Sequence, residues 1–232
     1  SVWIKRNGQE NVISGSHLLI TAGRSPNTSG LDLQKAGIKF DRRGIKVDAR
    51  LRTSNKRVFA IGDVTGGVQF THAASCHAGI IIRNILFKLP AKVNYDAFPW
   101  VTYTDPEIAH VGQTELQAKE KLSSDLRILR FAFAETDRAQ AEQETDGMIK
   151  VITDKKGHIL GCSMAGSRAG ELILPWALAI SQKMKIGVMA SVVTPYPTLS
   201  EVSKRAAGSF YTPSLFSERT KKIVRFLLRL PF

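Results

Sequence analysis

The stretch Val58-Phe59-Ala60-Ile61-Gly62-Asp63-Val64 decides how this chain is read. Apolar β-formers lead into a Gly-Asp pair, Gly66 and Gly67 follow, and a helix-forming segment comes next. The run predicts a strand, and in an α/β protein that layout sets one carboxylate at the carboxyl end of a strand, where ligands bind. Asp63 there can accept hydrogen bonds from the hydroxyls of a sugar or other polyol, and the glycines let a ligand approach the backbone. The same side chain can instead cap the turn that ends the strand.

Working outward, a helix is expected from about His72 to Phe87, stopped by Pro90. Cys76 on it reads as a small buried hydrophobe. Upstream, Leu31–Ala36 suits a short helix ended by Gly37. Ile38–Phe40 and Ile45–Val47 flank the turn residues 41–44 as a hairpin. At the start, Ser1–Lys5 and His17–Gly23 read as strands around a tight Asn7-Gly8 turn. Such a hairpin is marginal alone, so the chain is expected to begin inside a domain whose earlier part precedes Ser1.

Composition shifts near Asn94–Pro99, a natural domain boundary. Beyond it, strands are expected at Trp100–Tyr103, Ile108–Val111, Leu126–Ala134, Met148–Thr153 and Ile159–Ala165. Thr114 with Gln117 three residues on predicts a capped helix over Glu115–Leu122. Ala169–Met184 reads as an amphipathic helix and Glu201 starts another. This second region is α+β, a sheet with helices on one face.

Composition narrows the function classes. The 232 residues are 43% hydrophobic and 23% charged, an ordinary globular balance. No apolar run approaches the ~18 residues of a spanning helix, and no secretory signal opens the chain. Cys76 and Cys162 form neither a CxxC pair nor a metal spacing, which fits a reducing cytoplasm. The net charge of +13 lacks the interleaved aromatics of a nucleic-acid surface and reads as a solvated basic exterior. Much of it sits in Arg219, Lys221, Lys222, Arg225 and Arg229, inside a basic amphipathic segment, Phe216–Phe232, that suits an anionic membrane surface or packing within a dimer.

Four segments in order carry a resemblance: Ala22-Gly23-Arg24-Ser25-Pro26-Asn27, Ala60–Val64, Thr104–Gly112, and Tyr196-Pro197-Thr198-Leu199-Ser200-Glu201. Together they resemble the carboxyl-terminal half of the FAD-dependent pyridine nucleotide–disulfide oxidoreductases, over roughly residues 1–212. The resemblance implies α/β plus α+β architecture: the end of a fold with two dinucleotide-binding domains, followed by an interface domain. Residues 1–26 then correspond to the tail of the NAD(P)-binding domain and 27–95 to the second segment of the FAD-binding domain. Residues 96–212 correspond to the dimerisation domain and 213–232 to a basic tail. The family's GxGxxG loops and CxxxxC redox pair do not occur in these 232 residues, so NAD(P)H and the redox cysteines are expected upstream and this part alone is expected to be inactive.

By the same resemblance, Gly62 and Asp63 hold FAD, Asp63 by a ribityl hydroxyl. The backbone donors at Phe70, Thr71 and His72 face the flavin pyrimidine at a helix start, where N–H groups lack internal partners. Tyr196 stands where lipoamide dehydrogenases carry a histidine, which is paired with the glutamate matching Glu201. A tyrosine titrates near ~10 and does not shuttle thiol protons at neutral pH. Tyr196 with Glu201 is therefore more similar to mercuric reductase. The plainer reading is that Tyr196 only packs an interface. The terminal cysteine pair of mercuric reductases is absent here, and thiolates are the natural ligands of soft metals. The expected whole is a homodimeric, cytoplasmic NAD(P)H oxidoreductase. It passes electrons through FAD to a disulfide or metal-ion substrate at the dimer interface, with no resident metal and no nucleic acid. The alternatives are a non-catalytic dimerisation module and a peripheral membrane redox protein.

Overall fold

A computed structural model describes residues 1–122 and 125–230. The chain divides into two units, Ser1–Val93 and Asn94–Phe232.

The first unit opens with β1 (Val2–Arg6) and β2 (Gln9–Ile13), paired antiparallel from Val2 opposite Ile13 to Arg6 opposite Gln9. Asn7 and Gly8, at φ 52° and 82°, make the tight turn. The returning strand is therefore Gln9–Ile13 and not His17–Gly23 as the sequence suggested. A two-residue turn starts the return at once, and Leu18–Ile20 lie exposed, with no strand among the described residues paired to them. Leu31–Ala36 makes a single helical turn, closed by Gly37 at φ 66°, rather than a helix. A nucleus that short gains too few hydrogen bonds to propagate. The expected hairpin is present as β3 (Phe40–Asp41) and β4 (Gly44–Ile45).

The Val58–Val64 run is not a ladder strand. Phe59 bridges Arg52, Ile61 is extended, and at Gly62 the chain winds into a 3-10 turn over Gly62–Thr65. Its apolar side chains still do core work. Ala60 packs with Leu33, Ile38 and Ile45, and Val58 and Val64 lie against them. The expected helix follows as α1 (Thr71–Ile85). A second small core joins Ile80 of α1 to Leu51 and Ala91. The Asn84 amide grips both backbone groups of Ala91 at 2.9 Å, which ties the end of α1 to the segment after it.

The second unit holds one five-stranded antiparallel sheet. Its strands are β5 (Trp100–Thr102), β6 (Glu107–Gly112), β7 (Leu126–Ala132), β8 (Met148–Asp154) and β9 (Ile159–Gly166), in the order β5-β6-β9-β8-β7. Between them come α2 (Glu115–Leu122) and α3 (Asp137–Glu142). The capping box predicted for α2 is formed: the Thr114 hydroxyl accepts from the Gln117 N–H at 3.3 Å, and Gln117 Oε1 accepts from the Thr114 N–H at 2.9 Å.

The expected single helix over 169–184 is two, α4 (Ala169–Leu172) and α5 (Leu174–Ser181). Pro175 has no N–H to continue the ladder, so the helix restarts around it. Next come α6 (Ile186–Ser191), α7 (Glu201–Ser209), α8 (Thr212–Leu215) and α9 (Glu218–Leu227). The core lies between the sheet and these helices. Ile149, Val151, Cys162 and Met164 of the sheet meet Phe133, Trp176, Ile186 and Val202. The indole N–H of Trp176 donates to Ser203 Oγ at 3.0 Å, satisfying a buried donor and linking α5 to α7. The last two residues of the tail, Pro231 and Phe232, lie outside the described residues. Among the described residues no helix is long and apolar enough to cross a membrane.

Candidate functional site

In the first unit the candidate site is the 3-10 turn and the start of α1. Gly62 adopts φ 68°, and a Cβ there would stand 3.2 Å from Ala74 Cβ, so only glycine lets the turn lie this close to the helix. The Gly62 N–H donates to Nδ1 of His77, 3.1 Å away, from the buried face of α1. Burial pushes the His77 imidazole below its ordinary pKa, so it stays neutral and keeps the acceptor nitrogen this bond needs. Gly66, also at φ 68°, has no room for a side chain: a Cβ would fall 1.4 Å from the Arg43 carbonyl oxygen. The β3–β4 hairpin and the 3-10 turn therefore lock backbone to backbone.

This framework holds Asp63 with its side chain 42% exposed, where the sequence expected a ligand-facing carboxylate. Arg24 lies beside it. Its Nη1 is 2.9 Å from Asp63 Oδ2, and its other terminal nitrogen donates to the Gln69 carbonyl. Phe70 precedes α1 in extended conformation and its side chain has no acceptor atom. Thr71 and His72 begin the helix on the exposed side, and the first turn carries no acidic residue. The partial positive charge of the helix start is thus not neutralised by a side chain of its own first turn. The Phe70 and His72 rings stack at 5.2 Å. Cys76, expected to be buried, is exposed, while Cys162 is buried, which pushes its thiol well above the usual range.

In the second unit the candidate residues are Tyr196 and Glu201. Tyr196 is 70% exposed, on the loop leading into α7. Its phenol donates to Asp137 Oδ2 at 2.7 Å. That carboxylate, with Glu201 contributing less, raises the phenol's pKa above its ordinary value. Glu201 opens α7, with its carboxylate 3.9 Å from Arg205 and only 14% exposed. It lines a groove of about 610 Å³ with Lys204, Arg205, Ser209 and Thr212. The phenol's hydrogen-bond partner is thus Asp137, a residue that sequence reasoning missed. Nothing in the local pattern around Asp137 marks it, because the contact spans 59 positions. Arg24 belongs to the Ala22–Asn27 segment, but nothing in its local sequence marks its pairing with Asp63, and His77 carries no sequence signal of its role. Among the described residues no three His, Cys, Asp or Glu side chains converge on a metal-sized site.

Residues 3–78 match the family model described as pyridine nucleotide-disulphide oxidoreductase, and residues 98–207 match its dimerisation domain. Dihydrolipoyl dehydrogenase of Bacillus subtilis is 38% identical over 209 residues, covering 89% of this chain and 44% of that protein. Mercuric reductase of Staphylococcus aureus is 36% identical over 212 residues, covering 90% and 39%. Among solved structures, the HOCl-induced flavoprotein disulfide reductase RclA of Escherichia coli superposes with a TM-score of 0.78 at 27% identity, covering 89% of this chain and 47% of that one. LpdA of Mycobacterium tuberculosis superposes with a TM-score of 0.79 at 28% identity, covering 89% and 45%. The chain spans less than half the length of each of these relatives. Both of its units answer to one family, and the chain belongs to the pyridine nucleotide–disulfide oxidoreductases.

Proposed function

We propose that this chain is the carboxyl-terminal part of an FAD-dependent NAD(P)H oxidoreductase that works as a homodimer. Asp63 carries the reading: a half-exposed carboxylate, held by a backbone lock, beside a helix start with no acid in its first turn. These residues fit FAD. The carboxylate suits a polyol hydroxyl, and the N–H groups at residues 70–72 suit a ring that gains negative charge on reduction. When bound, flavin supplies the hydride and electron chemistry, and the protein supplies its position and electrostatics. Asp63 anchors, Gly62 admits the chain closely, and Arg24 neutralises Asp63 from the side.

The acceptor is a disulfide or a metal ion rather than a dithiol needing a neutral-pH base. The Tyr196 phenol, bound to Asp137 and raised in pKa, keeps its proton near neutrality and can offer an oxygen contact but not shuttle protons. This favours the mercuric reductase-like side of the family. The relatives, at 38% and 36% identity, lie on both sides. A second reading, a dimerisation module without chemistry, draws on the second unit's five-stranded sheet and its own large core. Of the chain's segments, 213–232 is the one with a composition suited to a membrane surface.

The test is FAD affinity of the intact protein with Asp63→Ala. Losing a charge-assisted hydrogen bond should weaken binding roughly tenfold or more, measured by flavin fluorescence on titration. Unchanged affinity would remove Asp63 from the site.

A further inference from the structure

We propose that α9 and the turn after it form a docking surface for anionic lipid, lying in the plane of the headgroups. The segment begins with a built cap: Ser217 Oγ accepts from the Thr220 N–H at 3.2 Å, and the Thr220 hydroxyl donates to the Ser214 carbonyl at 2.7 Å. Helical backbone bonds continue past Leu227, through Leu228 to Val224 at 2.9 Å and Leu230 to Leu227 at 3.1 Å. Residues 218–230 therefore act as one helical surface, and no residue of α9 is buried.

At about 100° per residue, that surface has two unlike sides. Ile223, Val224, Phe226, Leu227, Leu228 and Leu230 spread over an arc of roughly 200°, each at least 46% exposed. Lys221, Lys222, Arg225 and Arg229 occupy the opposite side, while Arg219 falls within the apolar arc near its edge, between Phe226 and Leu230. Within 218–230, five cations face one carboxylate, Glu218, which is itself paired with Lys221 at 2.7 Å.

Charge selects the occupant. A second copy of this helix would bring the same excess of cations and be repelled. A sheet of anionic headgroups attracts each cation and offers the apolar arc the acyl boundary, where no shape matching is needed. Long lysine and arginine stems let the charges reach the headgroups while the apolar side is immersed. This surface stands apart from the flavin reading and does not depend on it.

The experiment is flotation of the intact protein with vesicles of phosphatidylcholine alone and of phosphatidylcholine mixed with phosphatidylserine. The protein should float with the mixed vesicles and not with the neutral ones, and added salt should release it. Lys221→Ala with Arg225→Ala should weaken binding at least tenfold, at roughly fivefold per cation. Phe226→Asp should abolish flotation while the circular dichroism melting curve stays unchanged, since the side chain is exposed. Flotation that is absent at low salt, equal on neutral vesicles, or kept by both variants would overturn the proposal. So would a fall in oligomer size in Phe226→Asp by sedimentation, which would assign the face to a protein partner.

Discussion

Tyr196 and Asp137 form the hydrogen-bonded pair on which the proposed choice of acceptor rests. The Asp137 carboxylate accepts the phenol's hydrogen bond and its charge disfavours the phenolate, so both effects keep the proton on oxygen. Replacing Asp137 by Asn removes the charge and keeps the shape. The Tyr196 phenol should then titrate at lower pH, nearer the ordinary ~10, seen as phenolate absorbance after subtracting a Tyr196→Phe control. An unshifted curve would show that the pair is not formed in solution. Single residues were unevenly legible in the chain. Asp63 could be picked out because a Gly-Asp pair after an apolar run is a local pattern. Asp137 and His77 could not, because what gives them roles is a tertiary contact: Asp137 with a loop 59 positions on, His77 with the Gly62 N–H across the turn.

Elements read well where their signals were local. The α2 capping box and the three long strands of the sheet follow from spacing and alternation alone. Two misreadings had physical causes: Val58–Val64 and His17–Gly23 look like strands because apolar composition says nothing about whether a pairing partner lies alongside. Strand β6 carries a pH device of its own. His110 is buried, its Nε2–H donates to the Gly112 carbonyl at 3.0 Å, and its Nδ1 accepts from the Ser163 hydroxyl on β9 at 2.8 Å. Burial lowers its pKa below the usual histidine value, against the Gly112 bond, which raises it. A depressed folded pKa means that the unfolded chain binds the proton first. The stabilisation is therefore complete above about pH 6.5 and is lost as pH falls through the lower folded value. The second unit should melt progressively earlier below about pH 6.5, and His110→Asn should flatten that slope in calorimetry across pH.

At the scale of the molecule, two units share one chain, each packed around its own apolar clusters, and the larger unit has an apolar exterior as well. Leu174 and Leu178 are four apart on α5, Val188 and Val192 four apart on or just after α6, and all four face solvent. Outward apolar stripes on a unit that already packs its core mark an association surface. The chain should sediment as a dimer at micromolar concentration without added flavin, and Leu178→Asp should shift it toward monomer with an unchanged far-ultraviolet dichroism spectrum. The hairpin that meets the 3-10 turn has a practical consequence at this scale. Residues 41–44 look like a permissive place to splice in a reporter or epitope, being a short surface loop. The Arg43 carbonyl, however, rests where any atom added at Gly66 would sit, so cargo inserted there would be felt at Asp63, some twenty positions away along the chain.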